Sequence, residues 1–281
     1  MLTRPNTTLF VSILLYLPSH AFAGQFLVSL GGFYSQTDSG FEVQSTEHDK
    51  HFNLDFESDL DLKETVILPY LEIQYWFNDR HAVFFDWRSI HRSGTREKVR
   101  GPFDFDFGSG QRYLVKAGST ISTRLDLDIS RIGYGYNFYQ NNNWELGATF
   151  GLHLTRLKLE MQGELEVCVD NNCQSSLEFA DGYKMNSVAA PLPDLGLSLK
   201  YQLSDNWKFK SFAQYFFLEI NDVKGDLVDL NAGFVYNFNE QFWTYLSYKY
   251  YRVNVDLADS DTDWNIRYAV QGPALELTYA F

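Results

Sequence analysis

Apolar and polar residues alternate along most of the chain after residue 23. At the C-terminal end, Phe281, Tyr279 and Leu277 occupy every second position, and polar Thr278 and Glu276 lie between them. A period of two predicts β-strands with one apolar and one polar face. The alternation recurs in segments of about ten residues separated by turn residues, which is typical of strands that cross a bilayer. The sequence therefore predicts an all-β protein, a transmembrane antiparallel up-and-down β-barrel.

The predicted connections between strands alternate in length. Four are tight polar turns, at 78–80, 140–143, 204–206 and 239–241. Between them lie longer polar stretches at 37–65, 93–119, 160–186 and 257–264, and a shorter one at 220–226. Short turns on one side and long extracellular loops on the other are typical of outer-membrane barrels. Four turns and two chain ends on one side predict ten strands; eight or twelve stay open, because 97–106 and 111–123 are able to extend strands.

Apolar residues are expected to face lipid, and one strand changes its phase. The apolar positions of residues 125–129 are odd, whereas those of 132–138 are even. We expect a β-bulge at 130–131, since one extra residue would return both groups to the lipid-facing side. This interpretation places Arg124, Asp126 and Asp128 in the barrel interior.

The predicted interior carries nearly balanced charge. Its acids are Glu72, Asp86, Asp126, Asp128, Glu145, Asp194, Asp229 and Glu276, and its bases are Arg88, Arg124, Arg131, Lys200, Lys208, Lys210 and Lys249. His153 is predicted to face the interior near its outer end, within reach of a carboxylate. Unpaired buried charges are costly, and a ten-stranded barrel is hardly wider than one that its own side chains fill. We therefore favour paired charges in a mostly plugged interior over a water-filled pore, with a narrow ion path as the alternative.

Residues 1–23 form a predicted secretory signal peptide. Arg4 provides a positive start, an apolar run follows at 9–17, and Ala21 and Ala23 have the spacing of a cleavage site. The apolar run is about half as long as a membrane-spanning helix, which argues against an anchor helix. We expect cleavage after Ala23, so that 24–281 form the mature barrel.

Composition and charge limit the partners. The chain has 281 residues, a formal net charge of −13 and 17% aromatic residues. An acidic protein lacks the basic surface that nucleic acid requires, so no nucleic-acid partner is expected. The acids concentrate in predicted loops, at 55–64, 104–106 and 256–263, where divalent cations are candidates to bridge them to anionic lipopolysaccharide. A plain solvated surface is the alternative.

Two local motifs carry candidate chemistry. Cys168 and Cys173 lie in one predicted loop, and an oxidising compartment favours a disulfide between them over a metal pair. His91 and Ser93 lie two positions apart on the predicted lipid-facing side of one strand, and a serine beside a histidine is a candidate nucleophile. Outer-membrane phospholipases and lipid A deacylases resemble this arrangement, although a polar strand end explains it equally well. No cofactor or metal is expected.

Seven stretches of the chain, at 59–62, 75–81, 125–129, 145–147, 151–153, 190–197 and 272–275, together resemble a family of uncharacterised outer-membrane barrel proteins of Gram-negative bacteria. The resemblance implies the barrel fold and an outer-membrane location surrounded by lipid and lipopolysaccharide. It carries no established activity, and small barrels of the OmpA and OmpW kind are more distant analogues. The terminal Leu277, Tyr279 and Phe281 resemble the signal that the barrel assembly machinery reads during biogenesis.

The sequence favours an integral outer-membrane barrel with a structural role or a narrow passage for small solutes, and no catalysis. One alternative is a lipid hydrolase that uses His91 and Ser93. The other is a surface protein that binds partners through its long loops. Resemblance of fold does not transfer a function.

Overall fold

A computed structural model describes residues 24–45, 50–99, 103–105, 112–169, 172–175, 183–184, 188–220, 223–259 and 262–281. The predicted signal peptide and its cleavage site lie outside these residues. Within them, no helix is long and apolar enough to cross a membrane.

The described residues form sixteen strands. They are β1 (Gln25–Ser45), β2 (Lys50–Asp55), β3 (Thr65–Trp76), β4 (His81–Arg96), β5 (Phe103–Phe105), β6 (Arg112–Val115), β7 (Ile121–Gln140), β8 (Trp144–Gly163), β9 (Leu165–Val169), β10 (Asn172–Ser175), β11 (Tyr183–Lys184), β12 (Val188–Gln202), β13 (Trp207–Ile220), β14 (Val223–Asn237), β15 (Phe242–Asp259) and β16 (Thr262–Ala280).

Ten long strands close into one antiparallel barrel, which confirms the predicted fold and strand number. Their order is β1-β3-β4-β7-β8-β12-β13-β14-β15-β16, and β16 pairs with β1 to close the sheet. Closure leaves no open sheet edge around the wall, as a bilayer requires. Four shorter strands, β5, β6, β9 and β10, form a separate small sheet.

The four tight connections lie at one end of the barrel, the turn end; the opposite end is the loop end. Three of these turns share one hydrogen-bonding pattern. Asn78, Asn141 and Asn239 each accept hydrogen bonds through the side-chain oxygen from the backbone N–H groups two and three residues further on. Such Asx turns reverse the chain locally. The short turns therefore form close to the positions that the sequence predicts.

Apolar side chains cover the outer wall of the barrel. Exposed examples on nine different strands are Leu30, Ile67, Phe85, Ile132, Phe150, Leu197, Tyr215, Phe234 and Leu246. Aromatic residues concentrate beside the turns, among them Phe77, Phe138, Trp144, Trp207, Phe238 and Phe281. A continuous apolar wall with an aromatic girdle fits contact with lipid rather than water.

The interior of the barrel is filled with apolar side chains at the loop end. Leu54, Phe56, Leu60 and Leu62 are buried there, and residues 54–62 are called the plug below. The wall contributes Phe33, Leu68, Ile90, Leu125, Leu127, Ile129, Leu159, Met161, Tyr251 and Tyr268 to the same core. The polar stretch at 37–65, predicted as a long extracellular loop, is not a single loop. β1 continues to Ser45, β2 turns back along it, and the chain then enters the barrel mouth.

The predicted bulge at 130–131 is not formed. Pairing of β7 with both neighbours runs without a break through these residues, and the register shift lies at Asn137/Tyr139 instead. Residues 125, 127 and 129 therefore face the apolar core, and Arg124, Asp126 and Asp128 face outward. This corrects the prediction that these three charges line the lumen. The apolar phase changes because the apolar core is inside the barrel at the loop end, whereas the apolar surface is outside it lower down.

Gly94 of β4 lies against the plug backbone. A Cβ atom built there would be 2.1 Å from the carbonyl oxygen of Asp61 and 2.7 Å from that of Leu60. We expect Gly94→Ala to destabilise the barrel by about 1–3 kcal/mol, because the plug has to shift. The matched control is Gly32→Ala, whose Cβ would lie 3.6 Å from Ile67. Urea midpoints of the two refolded variants test this, and equal midpoints would contradict the packing of the plug on β4.

Candidate functional site

The turn-end half of the interior contains a chamber of about 850 Å³. It reaches the turns, where Asn78, Asp205 and Asn239 line its mouth. Its inner limit is formed by Arg88 and Arg131, beneath the apolar core. The chamber is therefore open at the turn end and blind towards the loop end.

A belt of charged side chains separates the chamber from the apolar core. Asp194 of β12 lies 2.6 Å from Arg131 of β7, and Arg131 lies 3.9 Å from Asp86 of β4. Arg88 continues the belt, at 3.5 Å from Asp86 and 2.9 Å from Asp229 of β14. Ion pairs thus cross the interior from one wall to the other, and each buried charge has an opposite partner.

His153 extends this belt on its loop-end side. Its side chain is fully buried, and Nδ1 lies 3.0 Å from Oδ2 of Asp194 and 3.2 Å from Nε2 of Gln214. The carboxylate orients the imidazole by accepting its Nδ1–H. The predicted interior position and carboxylate partner of His153 are both present in the structure.

The plug is held to the wall by a buried ion pair that the sequence did not predict. Glu57 of the plug forms a salt bridge with Arg92 of β4, whose side chain is 0% exposed. Ser39 joins them: its hydroxyl donates to Glu57 at 2.7 Å and accepts from Arg92 at 2.6 Å. The sequence does contain a sign of the plug. Phe56, Leu60 and Leu62 are apolar residues within an acidic stretch, which is unusual for a solvated loop.

The remaining predicted interior charges line the chamber. These are Glu72, Glu145, Lys200, Lys208, Lys210, Lys249 and Glu276. Lys249 pairs with Glu276 at 2.5 Å, and Lys200 pairs with Glu145 at 2.8 Å. With Arg124, Asp126 and Asp128 outside, the predicted set that faces the interior comprises six acids and six bases.

His91 and Ser93 are both exposed on β4, on the outward side that the sequence predicts. The hydroxyl that approaches His91 is that of Ser89, with Oγ 3.1 Å from Nε2. Ser89 also donates to Asp128 at 2.6 Å. The structure thus brings Ser89, His91 and Asp128 together, and His91 pairs with Ser89 where the sequence suggested Ser93.

The cysteine motif forms a small hairpin at the loop end. Cys168 on β9 lies directly opposite Cys173 on β10 in the strand register. Directly opposite residues of antiparallel strands have Cα separations of about 4.5–5.5 Å, within the range that a disulfide spans. Their side chains lie outside what the structure describes, so the disulfide stays a prediction.

The acidic loop at 55–64 uses several carboxylates internally. Glu57 binds Arg92, Asp61 binds Arg96 at 2.7 Å, and Asp59 accepts from the backbone N–H of Asp55 at 3.0 Å. Asp106 and Asp261 of the other acidic stretches lie outside the described residues. In the described part of the chain, no group of three or more potential ligands is placed to hold a metal ion.

The C-terminal Leu277, Tyr279 and Phe281 lie on the outer wall of the barrel. All three are exposed, and the Tyr279 and Phe281 rings contact each other edge-on with centroids 4.9 Å apart. The last strand thus presents the alternating apolar face on which the predicted assembly signal depends.

Residues 124–269 match the model of the DUF481 family, which is described as "Protein of unknown function, DUF481". The chain belongs to the DUF481 family. The matched segment runs from β7 into β16, so this DUF481 protein carries Arg131, His153, Asp194 and the chamber lysines inside the family region. No curated protein matches the sequence.

The fold of this DUF481 protein is similar to that of solved outer-membrane barrels. The chain is similar to the outer membrane protease OmpT from Escherichia coli, with a TM-score of 0.55 and 11% identity over 92% of this chain and 97% of that one. It is also similar to the toluene transporter TodX from P. putida, with a TM-score of 0.35 and 10% identity over 92% and 90% of the two chains. A third is Ail, the attachment invasion locus protein of Yersinia pestis, with a TM-score of 0.31 and 10% identity over 92% and 99%. The OmpT likeness supports the barrel fold alone.

Proposed function

We propose that this DUF481 protein is a non-porin barrel of the outer membrane, sealed towards the outside and open as a chamber towards the periplasm. Long loops of outer-membrane barrels are extracellular and short turns periplasmic, which supports an orientation with the plug outside and the chamber mouth in the periplasm. Export through the predicted signal peptide fits this orientation. The function is structural and ligand-holding, without catalysis, and any passage of small solutes requires the plug to move.

One observation carries the proposal: among the described residues, an apolar core lies in the loop-end interior above the charge belt. Leu60 and Ile129 are fully buried there, and Leu62 and Leu68 are almost so. Water and ions cross an apolar-filled section poorly, because desolvating an ion costs many kcal/mol. The bilayer-spanning wall is therefore continuous while its interior is not a pore.

Swelling of proteoliposomes in a solution of a small sugar measures whether solutes pass through the barrel, and so tests whether its interior is sealed. Vesicles with the wild-type barrel are expected to swell no faster than empty vesicles. Leu60→Asp places a carboxylate in the core, and we expect it to displace the plug and to speed swelling. Leu203→Asp, at an exposed turn-end position, is the matched control and should behave as wild type. Fast swelling of the wild-type vesicles would contradict the proposal.

A second candidate function is hydrolysis of a membrane lipid at the outer wall. The contact between Ser89, His91 and Asp128 favours it. In such a step Ser89 Oγ would attack an acyl ester carbonyl, His91 would take the hydroxyl proton and return it to the leaving alcohol, and water would release the acyl group. The 2.6 Å hydrogen bond from Ser89 to Asp128 competes with proton transfer to His91.

A fluorescent phospholipid in mixed micelles tests this second candidate. Hydrolysis by the wild-type barrel that falls at least a hundredfold in Ser89→Ala and in His91→Ala, and persists in Ser93→Ala, would support it. Absence of hydrolysis in the wild type would reject it.

A further inference from the structure

Three lysines crowd one wall of the chamber. Lys200 lies on β12, and Lys208 and Lys210 lie on β13. The register places Lys200 directly opposite Lys210, and both line the chamber with Lys208. Like charges directly opposite each other across two strands destabilise a sheet. A fold selected for stability alone has no reason to keep this arrangement.

The nearby carboxylates do not neutralise this wall. Glu145 lies 2.8 Å from Lys200, and Lys208 also acts on Glu145 electrostatically. The deeper carboxylates are engaged elsewhere, Glu276 by Lys249 and Asp229 by Arg88. Glu72 of β3 also lines the chamber, and it accepts a hydrogen bond from Gln74 at 2.7 Å. Among the described side chains on this wall, three ammonium groups therefore share one carboxylate, and the acids of the mouth lie on exposed turns.

Aromatic rings hold two of these ammonium groups at the chamber surface. Lys210 Nζ lies 4.8 Å from the centre of the Tyr245 ring, and Lys200 Nζ lies 5.4 Å from the centre of the Trp76 ring. A ring face attracts a cation and leaves its N–H donors free for another partner. The ring thus positions Lys210 without satisfying its charge, whereas Lys200 shares Glu145 with Lys208.

We propose that the chamber binds a phosphate-bearing solute from the periplasm, held by Lys200, Lys208 and Lys210. A phosphate group supplies more than one negative charge and several acceptor oxygens, which matches a cluster of ammonium donors. The chamber volume of about 850 Å³ is that of a small-molecule site. The solute enters from the turn end, because the charge belt and the plug close the other side. This inference depends on the chamber and not on whether the plug opens.

Calorimetric titration with inorganic pyrophosphate at low salt tests the proposal on the refolded mature protein in detergent micelles. We expect binding to the wild type and at least a tenfold weaker affinity in the Lys208→Gln/Lys210→Gln variant. Lys158→Gln removes a partly exposed loop-end lysine and is the matched control, with unchanged affinity. No binding to the wild type, or equal binding to the double variant, would overturn the proposal.

The stability of the lysine variants separates a binding role from a structural one. If the lysines stabilised the fold, removing them would lower the urea midpoint. Removing an unfavourable like-charge pair should leave the urea midpoint of the double variant unchanged or raise it. By contrast, Lys249→Gln leaves the buried Glu276 without its partner and should lower the midpoint. If the double variant fails to refold, Lys208→Gln alone should still weaken pyrophosphate binding, and unchanged binding would count against the site. The swelling assay reports separately on the seal.

Discussion

Replacing Arg92 by alanine is expected to lower the free energy of unfolding by about 3–5 kcal/mol, because it leaves a buried carboxylate without its cation. Arg92 is 0% exposed and its partner Glu57 is 8% exposed. The guanidinium also donates to Ser39 and lies over the Tyr268 ring, 5.4 Å from its centre. The variant therefore loses the contact that holds the plug in the barrel mouth.

The same plug supplies the control for this prediction. Arg96 of β4 also binds the plug, through Asp61 at 2.7 Å, but the two side chains are 16% and 43% exposed. Solvent screens such a pair, so Arg96→Ala is expected to cost about 0–1 kcal/mol. Urea unfolding of both variants in lipid vesicles, followed by tryptophan fluorescence, measures the difference. Equal losses would show that the Arg92 pair is not buried as described.

Arg131→Ala is expected to lower the free energy of unfolding by about 3–5 kcal/mol as well, since it removes a cation that interacts with two buried acids. Arg131 binds Asp194 at 2.6 Å and lies 3.9 Å from Asp86. Its guanidinium also lies 4.5 Å from the centre of the Phe84 ring. Removing it interrupts the charge belt beneath the apolar core.

A partly exposed ion pair and a double variant make this test specific. Arg252 binds Asp226 at 3.0 Å with side chains 38% and 25% exposed, so Arg252→Ala should cost only about 0–1 kcal/mol. Arg131→Ala/Asp194→Ala should be less destabilised than the sum of its single variants, because neither charge of the pair is then left alone. Additive losses in urea unfolding would mean that the two side chains do not interact.

The barrel follows from local pattern and could be predicted from the sequence. Period-two alternation places Tyr279 and Leu277 on the lipid face and Glu276 inside, and asparagines such as Asn78 and Asn141 define turns through their own backbone contacts. These signals depend on residues close in sequence. They therefore identified ten strands and the charges that line the chamber.

The loop-end interior could not be predicted in this way, because apolar side chains face inward there and outward in the rest of the barrel. Towards the turn end, apolar Ile132 faces out. Towards the loop end, apolar Ile129 faces in, and both lie on one strand whose pairing is unbroken between them. A rule that apolar side chains face lipid therefore required a bulge and misplaced Asp126 and Asp128. The Arg92–Glu57 pair joins residues 35 positions apart, and the alternation of either segment contains no sign of that partner.

Single-channel conductance of the refolded mature protein in a planar bilayer tests the sealed interior most directly. The same preparation should show heat-modifiable gel migration, which establishes that the barrel is folded. The apolar core above the charge belt predicts a silent bilayer for the wild type. Discrete, reproducible current steps from the wild-type protein would contradict a sealed barrel.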